Sequence, residues 1–303
     1  IAVPHHLHEE LYLDATSAGK DFLGEKPFGI DLPAGERIGE ALRSRPELFA
    51  RCSSEMPYFP GAQLAYETIR SGSVGRILEA HAAFLHSSDL DVTKALNWKR
   101  QARFCGRLGV MGDLGMHVLH VPLRLGWRPA RVYAVLQDIV KERPGPNGEL
   151  EPCDTIDNAT LICSVEQREG SFPLTVEMKR IAPGETNSWV LRVVGMEGGV
   201  EFTTRNPKTV RRFTVRQGRQ IWEHLETGSQ SASPTVTGGI FEFGFSDAVL
   251  QMWAAFLAER AGTLGEGFGC VTPDEALAAH RLFDAALRSG ESGRAEPVEA
   301  SRS

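Results

Sequence analysis

The feature that most restricts what this chain can fold into is a change of rhythm near residue 57. Before it, short apolar runs alternate with helical periods; after it, apart from helical stretches at 61–70 and 108–125, extended runs follow one another with little but turn signals between them until two closing helices. Strand–helix alternation with short loops demands parallel pairing, because each crossover helix carries the chain back to start the next strand. Successive strands joined by turns favour an antiparallel sheet. Two domains are therefore expected. Residues 1–56 read as α/β, part of a doubly wound parallel sheet, and residues 57–303 as α+β with a large, mostly antiparallel sheet.

In the first part, Ile1, Ala2 and Val3 form an apolar run that Pro4 breaks, and Leu7, Leu11, Ala15 and Ala18 then recur at helical spacing up to Gly19. Strands are expected at 21–24 and 48–52, with a helix over 33–43 that Pro33 opens. A strand at 1–3 in a parallel sheet needs a neighbour on each side. A preceding segment is thus expected, and the first 56 residues read as the C-terminal half of such a sheet, a remnant of a nucleotide-binding domain.

In the second part the spacing predicts a helix over 61–70, a strand over 76–86 and a long helix over 108–125, kinked at Pro122. Extended runs follow at 131–140, 159–165, 172–180, 189–194, 200–204, 210–215 and 220–224, then helices over 247–261 and 273–289. Val249, Met252, Trp253, Phe256 and Leu257 share one side of the first of these, which reads as a core face. Residues 229–239 and the last dozen are small and polar, and are expected to be loose.

Composition removes several function classes. The formal charge is −6, with Lys and Arg scattered, so no basic surface for nucleic acid is expected. No run approaches the ~20 apolar residues that span a bilayer, so no membrane association is expected. The five cysteines are odd in number and lack a C-x-x-C pair. They suit reduced, buried thiols in a cytoplasmic protein better than a disulfide framework or zinc ribbon.

Two local patterns can carry chemistry. Glu25-Lys26-Pro27 directly follows a predicted parallel strand, and ligands of open α/β sheets bind outside the carboxyl ends of the strands. Proline fixes the backbone beside the lysine, although an ordinary surface lysine would leave the same trace. On the helix predicted over 108–125, Asp113 and His117 stand four residues apart on one face among apolar neighbours. A carboxylate one turn from an imidazole can move a proton near neutral pH; it can equally be a helix-stabilising contact. Glycines 106, 109, 112 and 115 recur every third residue, which points to a close approach of that helix to another backbone or a ligand. His5, His6 and His8 crowd one loop and His117 and His120 lie three apart, but no paired zinc spacing is present and no metal is expected.

Taken together these residues resemble the glucose–fructose oxidoreductase / inositol dehydrogenase / rhizopine-catabolism family (Gfo/Idh/MocA). Ala2-Val3-Pro4-His5-His6-Leu7-His8 is similar to its fourth Rossmann strand and following loop, and Glu25-Lys26-Pro27-Phe28-Gly29 to its E-K-P signature. Asn97-Trp98-Lys99 followed by Gly112-Asp113-Leu114-Gly115-Met116-His117 resembles its W-R and G-x-x-x-D-x-G-x-H stretch, and 289–294 the end of its last helix. The resemblance implies an NAD(P)-dependent oxidoreductase acting on a secondary hydroxyl of a sugar or cyclitol. Lys26 and His117 would be the acid–base groups and Asp113 would orient the substrate. Pro4, His5, Glu25, Lys26 and Pro27, with Trp98 and Lys99, would line NAD or NADP. Lys26, beside a second cation, is expected to have a lowered pKa. A homo-oligomer through the large sheet is also implied.

The departures are specific. No G-x-G-x-x-G lies between a strand and a helix, so no helix N-terminus is marked out for the pyrophosphate, and these 303 residues alone are expected to bind cofactor weakly and to be inactive. Ser54-Glu55-Met56-Pro57 replaces the family's Asn/Arg stretch, and His120 replaces an acidic residue. The rival expectations are a non-catalytic sugar-binding or regulatory homologue and a redox-neutral glycosidase that uses bound NAD. Retention of Lys26, Asp113 and His117 together favours the oxidoreductase, since a binding module needs none of them.

Overall fold

The computed structural model describes residues 1–168, 170–227, 231–239 and 241–299. Residues 229–230 and 300–303 of the segments expected to be loose lie outside these. A turn at His5–Leu7 leads into α1 (His8–Ser17), then β1 (Phe22–Gly24), α2 (Leu32–Arg43) and β2 (Ala50–Cys52). Asp31 caps α2, its carboxylate accepting from the Ala34 amide at 2.9 Å. β1 and β2 pair in parallel, as the alternating first segment requires. The expected strand at 1–3 is reduced to one residue: Ile1 donates to the Leu23 carbonyl at 2.8 Å and accepts from the Glu25 amide at 2.9 Å, a parallel ladder around Gly24. Val3 has already left it, its carbonyl bonded to His8.

The rest of the chain builds α3 (Pro60–Arg70), β3 (Ile77–His86), a short α4 (Ala102–Cys105) and α5 (Val110–Arg124), then β4 (Pro129–Gln137), β5 (Glu142–Pro144) and β6 (Leu150–Pro152). Next come β7 (Asn158–Gln167), β8 (Gly170–Lys179), β9 (Asn187–Gly195), β10 (Gly198–Thr203), β11 (Thr209–Arg216) and β12 (Arg219–Glu226). α6 (Phe245–Arg260), α7 (Pro273–Ser292) and β13 (Glu296–Pro297) close it. Nine strands form one sheet in the order β12-β11-β10-β9-β3-β8-β7-β4-β13. Its pairings are antiparallel except β3 with β8, because β3, first in the chain, inserts between two later strands.

Residues facing inward from this sheet, among them Ala82, Phe84, Leu161, Leu174, Val176, Leu191 and Val193, are fully or almost fully buried. Helices α3, α5 and α7 cover that face. α5 crosses the middle of it, over β3, β7 and β8, and this holds Asp113 and His117 against the sheet. α7 is fixed at both ends: Thr272 and Glu275 form a capping box, and Gly293 takes a left-handed conformation beyond the last turn. All five cysteines are free and buried. Among the described residues no helix is long and apolar enough to cross a membrane.

Local expectations shift in two places. The strand expected over 131–140 stops at Gln137, because the Asp157 carboxylate takes the amides of Ile139 and Val140 at 2.8 and 3.0 Å and turns the chain. Beyond it, residues 145–149 form the tip of the β5–β6 hairpin. Helix α5 begins at Val110 rather than 108 and runs through Pro122 to Arg124. Gly106 and Gly109 therefore precede it at φ 79° and 55°, where a side chain would be strained and would press on the backbones of Ile30 and Ile156.

Candidate functional site

The carboxyl ends of the two short parallel strands deliver Glu25 and Lys26 after β1, and Ser53, Ser54 and Glu55 after β2. The peptide bond between Lys26 and Pro27 is cis. The Lys26 ammonium reaches across to α5, donating to the Asp113 carboxylate at 2.8 Å and to the Asp113 carbonyl at 2.6 Å. Lys99 meets the same carboxylate oxygen at 2.8 Å, and the buried Arg180 guanidinium donates to the other at 3.3 Å. One carboxylate thus holds three cations in a site where Lys26 is 13% exposed and Asp113 7%.

Burial alone would raise the Asp113 pKa, but Lys26, Arg180 and Lys99 outweigh it and hold the carboxyl well below its ordinary range. For Lys26 the expectation of a lowered pKa is overturned. Burial does lower it, yet the charge and hydrogen bond of Asp113, with Glu25 and Glu55 beyond, raise it above the ordinary lysine value.

His117 lies one turn along α5 from Asp113, with its ring edge-on to Phe84 and its carbonyl accepting from the Trp189 indole at 2.7 Å. Burial first, then the Lys26 charge, lower its pKa to about 3, so the imidazole is neutral at neutral pH. Glu55 also lines the cleft, with Oε2 3.6 Å from Nδ1. Burial raises the Glu55 pKa above the usual carboxylate value.

Lys26 and His117 line one cavity of about 320 Å³, shared with Ile1, Glu25, Glu55 and an apolar wall of Phe245, Val249, Met252 and Trp253. The side of α6 expected to be core is therefore divided. Met252 and Phe256 are buried, but Trp253 is 45% and Leu257 62% exposed, and Trp253 faces the cavity. A second cavity of about 340 Å³ is lined by Ala2, Val3, Pro4, His5, Glu25, Lys26, Trp98 and Lys99. Lys26 and Glu25 border both.

Six of the seven residues expected on the cofactor side thus share one cavity. Pro27 lines neither; its carbonyl accepts from the His8 ring at 2.7 Å. His5 is held between the Cys105 carbonyl at 3.1 Å and the Trp98 ring at 4.9 Å, and burial lowers its pKa to about 3. Trp98 and Lys99 sit on a turn that the Asn97 side chain caps by accepting from the Lys99 amide. The buried Arg143 supports the preceding segment, residues 89–94, through the Asp89 and Asp91 carbonyls, both at 2.7 Å.

The histidine groups do not converge. His6 is exposed beside Phe104, and His120 turns away toward Phe268 and Arg124. Among the described residues no group of three or more His, Cys, Asp or Glu is placed to hold a metal ion. Reasoning from sequence passed over Arg180, read Trp253 as core and noted Glu55 only as a departure. Arg180 sits at the end of a strand far from the motif stretches, and nothing in its neighbours marks it.

A buried lysine and a buried imidazole thus meet over one cleft beside a large, mostly antiparallel sheet. Residues 62–201, just under half of the chain, match the family model described as the GFO/IDH/MocA C-terminal domain, and this stretch is similar to that domain. The chain is 29% identical over 216 residues to a levoglucosan dehydrogenase of Pseudarthrobacter phenanthrenivorans, covering 67% of this chain and 54% of that protein. It spans about half the length of the curated relatives it matches. Among solved structures, a levoglucosan dehydrogenase in complex with NADH and levoglucosan superposes with a TM-score of 0.86 at 23% identity, covering 99% of this chain and 79% of that one. An inositol dehydrogenase homolog complexed with NAD+ from Azotobacter vinelandii gives 0.79 at 20% identity, covering 98% and 77%. At these identities the likeness is one of fold.

Proposed function

We propose that the chain forms the catalytic and substrate-side part of an NAD(P)-dependent oxidoreductase acting on a secondary hydroxyl of a sugar or cyclitol. Residues 1–56 belong in this reading to the nucleotide-binding part and residues 57–303 to the substrate part. One observation carries it: Lys26, fixed by Asp113, borders two adjoining cavities, one shared with His117 and one with the residues expected on the cofactor side. The relatives named above, a dehydrogenase and complexes with NADH or NAD+, support the same reading.

The second cavity fits the nicotinamide end of a dinucleotide in character. Trp98 and Pro4 offer flat apolar surfaces, and the buried His5 and the Lys99 amine offer donors at its edge. When bound, the nicotinamide supplies hydride transfer. The protein residues do the rest. Two of the three Lys26 N–H groups are taken by Asp113, which leaves one for the reacting oxygen. His117, neutral at neutral pH, receives the hydroxyl proton as the C–H bond breaks, and returns it in reduction. Asp113 keeps Lys26 charged and in place, so the oxygen meets a fixed positive charge as negative charge develops on it. The apolar wall of Phe245, Val249 and Trp253 suits the C–H face of a sugar ring, and Glu25 and Glu55 suit its hydroxyls.

The test is NAD(H)- and NADP(H)-coupled turnover on a panel of sugars and cyclitols by the protein carrying these residues. Lys26→Met and His117→Ala are each expected to reduce kcat by about 10² or more; unimpaired turnover in both would sink the assignment.

The uncovered face of the large sheet supports assembly with a second copy. Tyr133 and Ile162 lie opposite each other in β4 and β7 and are 41% and 52% exposed, with Val135 at 49% beside them. Unpaired apolar surface of this kind marks an interface. Sedimentation of the protein should show a dimer or larger species that Ile162→Glu dissociates; a wild-type monomer at micromolar concentration refutes it.

A further inference from the structure

We propose that Glu55 is a positioning residue for His117, its carboxylate holding the ring through Nδ1 so that Nε2 meets the substrate hydroxyl. This rests on the reading of His117 as the base and adds the group that orients it.

Three observations carry it. Glu55 lines the same cavity as His117 and Lys26, and its side chain is only 12% exposed. Its Oε2 lies 3.6 Å from Nδ1, beyond hydrogen-bond length but within reach of a small side-chain rotation. Nδ1 is itself buried without a hydrogen-bond partner among the described residues. A buried donor or acceptor left unpaired is costly, and Glu55 is the acceptor at hand.

The other charged or titratable groups around the ring do different work. Lys26 repels a proton on His117, while Glu25 and Asp113 favour one; the half-buried His86 on β3 and the buried His120 on α5 are themselves neutral at neutral pH. The protons balance simply. The hydroxyl O–H bond breaks, the proton joins Nε2, and the imidazolium so formed is stabilised by the anionic carboxylate at Nδ1–H. No proton needs to leave the pair in that step. Fixing which nitrogen carries the resting proton also fixes which one is free to act. Glu55 stands where the family resemblance led to an Asn/Arg stretch, so this arrangement belongs to this chain's own sequence.

The resting protein tests the idea without turnover. Nitrogen chemical shifts of the His117 ring at pH 7 report its tautomer. The expected result is the Nδ1–H form in the wild type and in Glu55→Gln, whose amide oxygen still accepts, and a shift toward Nε2–H in Glu55→Leu. In turnover, Glu55→Leu should lose about 10²-fold in kcat with KM changed less than about threefold. Glu55→Gln should lose less, with the acid limb of kcat/KM moved by about one pH unit. A wild-type tautomer in a folded Glu55→Leu, or a pH profile unchanged in both variants, overturns the proposal. If the tautomer shifts but His117→Ala turns over normally, Glu55 does orient the ring and the oxidoreductase reading is what fails.

Discussion

Lys26 and Asp113, 87 residues apart in the chain, are joined twice: one ammonium donates at once to the carboxylate and to the backbone carbonyl of the same aspartate. This pair of hydrogen bonds between β1's end and α5 ties the α/β segment to the helix on the large sheet. It also makes the aspartate the common partner of three cations, Lys26, Lys99 and Arg180.

The sharing is unequal, and stability should show it. Lys26→Met leaves Asp113 two partners and is expected to cost about 1–2 kcal/mol. Asp113→Ala leaves three cations facing one another, one of them fully buried, and is expected to cost about 3–5 kcal/mol. Asp113 has a depressed pKa, so its contribution is present above the unfolded carboxylate value and lost as pH falls through the folded one. Lys26 has a raised pKa, so its share is present below the unfolded lysine value and lost as pH rises through the folded one. Both are complete at pH 7, where urea unfolding should be compared. Equal losses from the two variants would contradict the shared-carboxylate account.

The two glycines inside α5 should behave oppositely. A Cβ at Gly115 would run into the Phe283 ring of α7, whereas one at Gly112 meets its nearest atoms, Leu108, Pro27 and His5, at 3.4 to 3.9 Å. Gly115→Ala is expected to lower stability by about 1–3 kcal/mol through overpacking. Gly112→Ala gains helix propensity and should be neutral or stabilising by up to about 1 kcal/mol. Thermal melts of the pair decide it; a destabilised Gly112→Ala would mean that the space beside His5 is not there.

Trp253 should matter to substrate and little to folding. It is 45% exposed, lines the same cavity as Lys26, and makes no side-chain hydrogen bond among the described residues. Trp253→Ala is expected to raise KM about tenfold with kcat changed less than about threefold, since an apolar wall binds ground state and transition state alike. Its urea midpoint should fall by less than about 1 kcal/mol equivalent. A collapse of stability would return Trp253 to the core, where the helical period first put it.

That helical period shows where sequence reasoning stops. A stripe at 249, 252, 253, 256 and 257 declares one apolar side, but a cavity wall and a core use the same residues; only the chain opposite distinguishes them, and Lys26 and His117 come from remote segments. Asp113 and His117 were legible because their spacing is set within one helix, and Lys26 because a strand end fixes it. Arg180 was not, since its role comes from β8 packing beneath α5, a contact no local pattern encodes. The large sheet's strands were legible from alternation, while the place of β3 between β8 and β9 was not. The 131–140 strand was read too long because the Asp157 carboxylate, twenty residues on, takes over the amides that would have extended it.

Acid should unfold this protein earlier than its carboxylates alone would allow. Burial lowers the pKa of His5, His117 and His120 to about 3 and of His86 and His280 to about 4, and lowers His8 too. A depressed folded pKa means that the unfolded chain binds more protons between that value and about 6.5, so stability falls as pH drops through that window. At pH 5 each such histidine costs on the order of 2 kcal/mol. Five together approach the ~5–15 kcal/mol that holds a domain folded. The carboxylates held low by partners, Glu275 and Glu177 at about 2 and Asp113 well below its ordinary range, are lost only in a later window, below about pH 4.5. Circular dichroism against pH should therefore show the transition between about pH 4.5 and 6, reversible on neutralisation. His280 donates from Nε2 to the Phe28 carbonyl at 3.0 Å and lines neither cavity. His280→Gln keeps a donor there and removes one titrating group, so it should move the midpoint to lower pH. A wild-type midpoint below pH 4, unmoved by that substitution, would assign acid lability to the ion pairs and leave the buried imidazoles without a part in it.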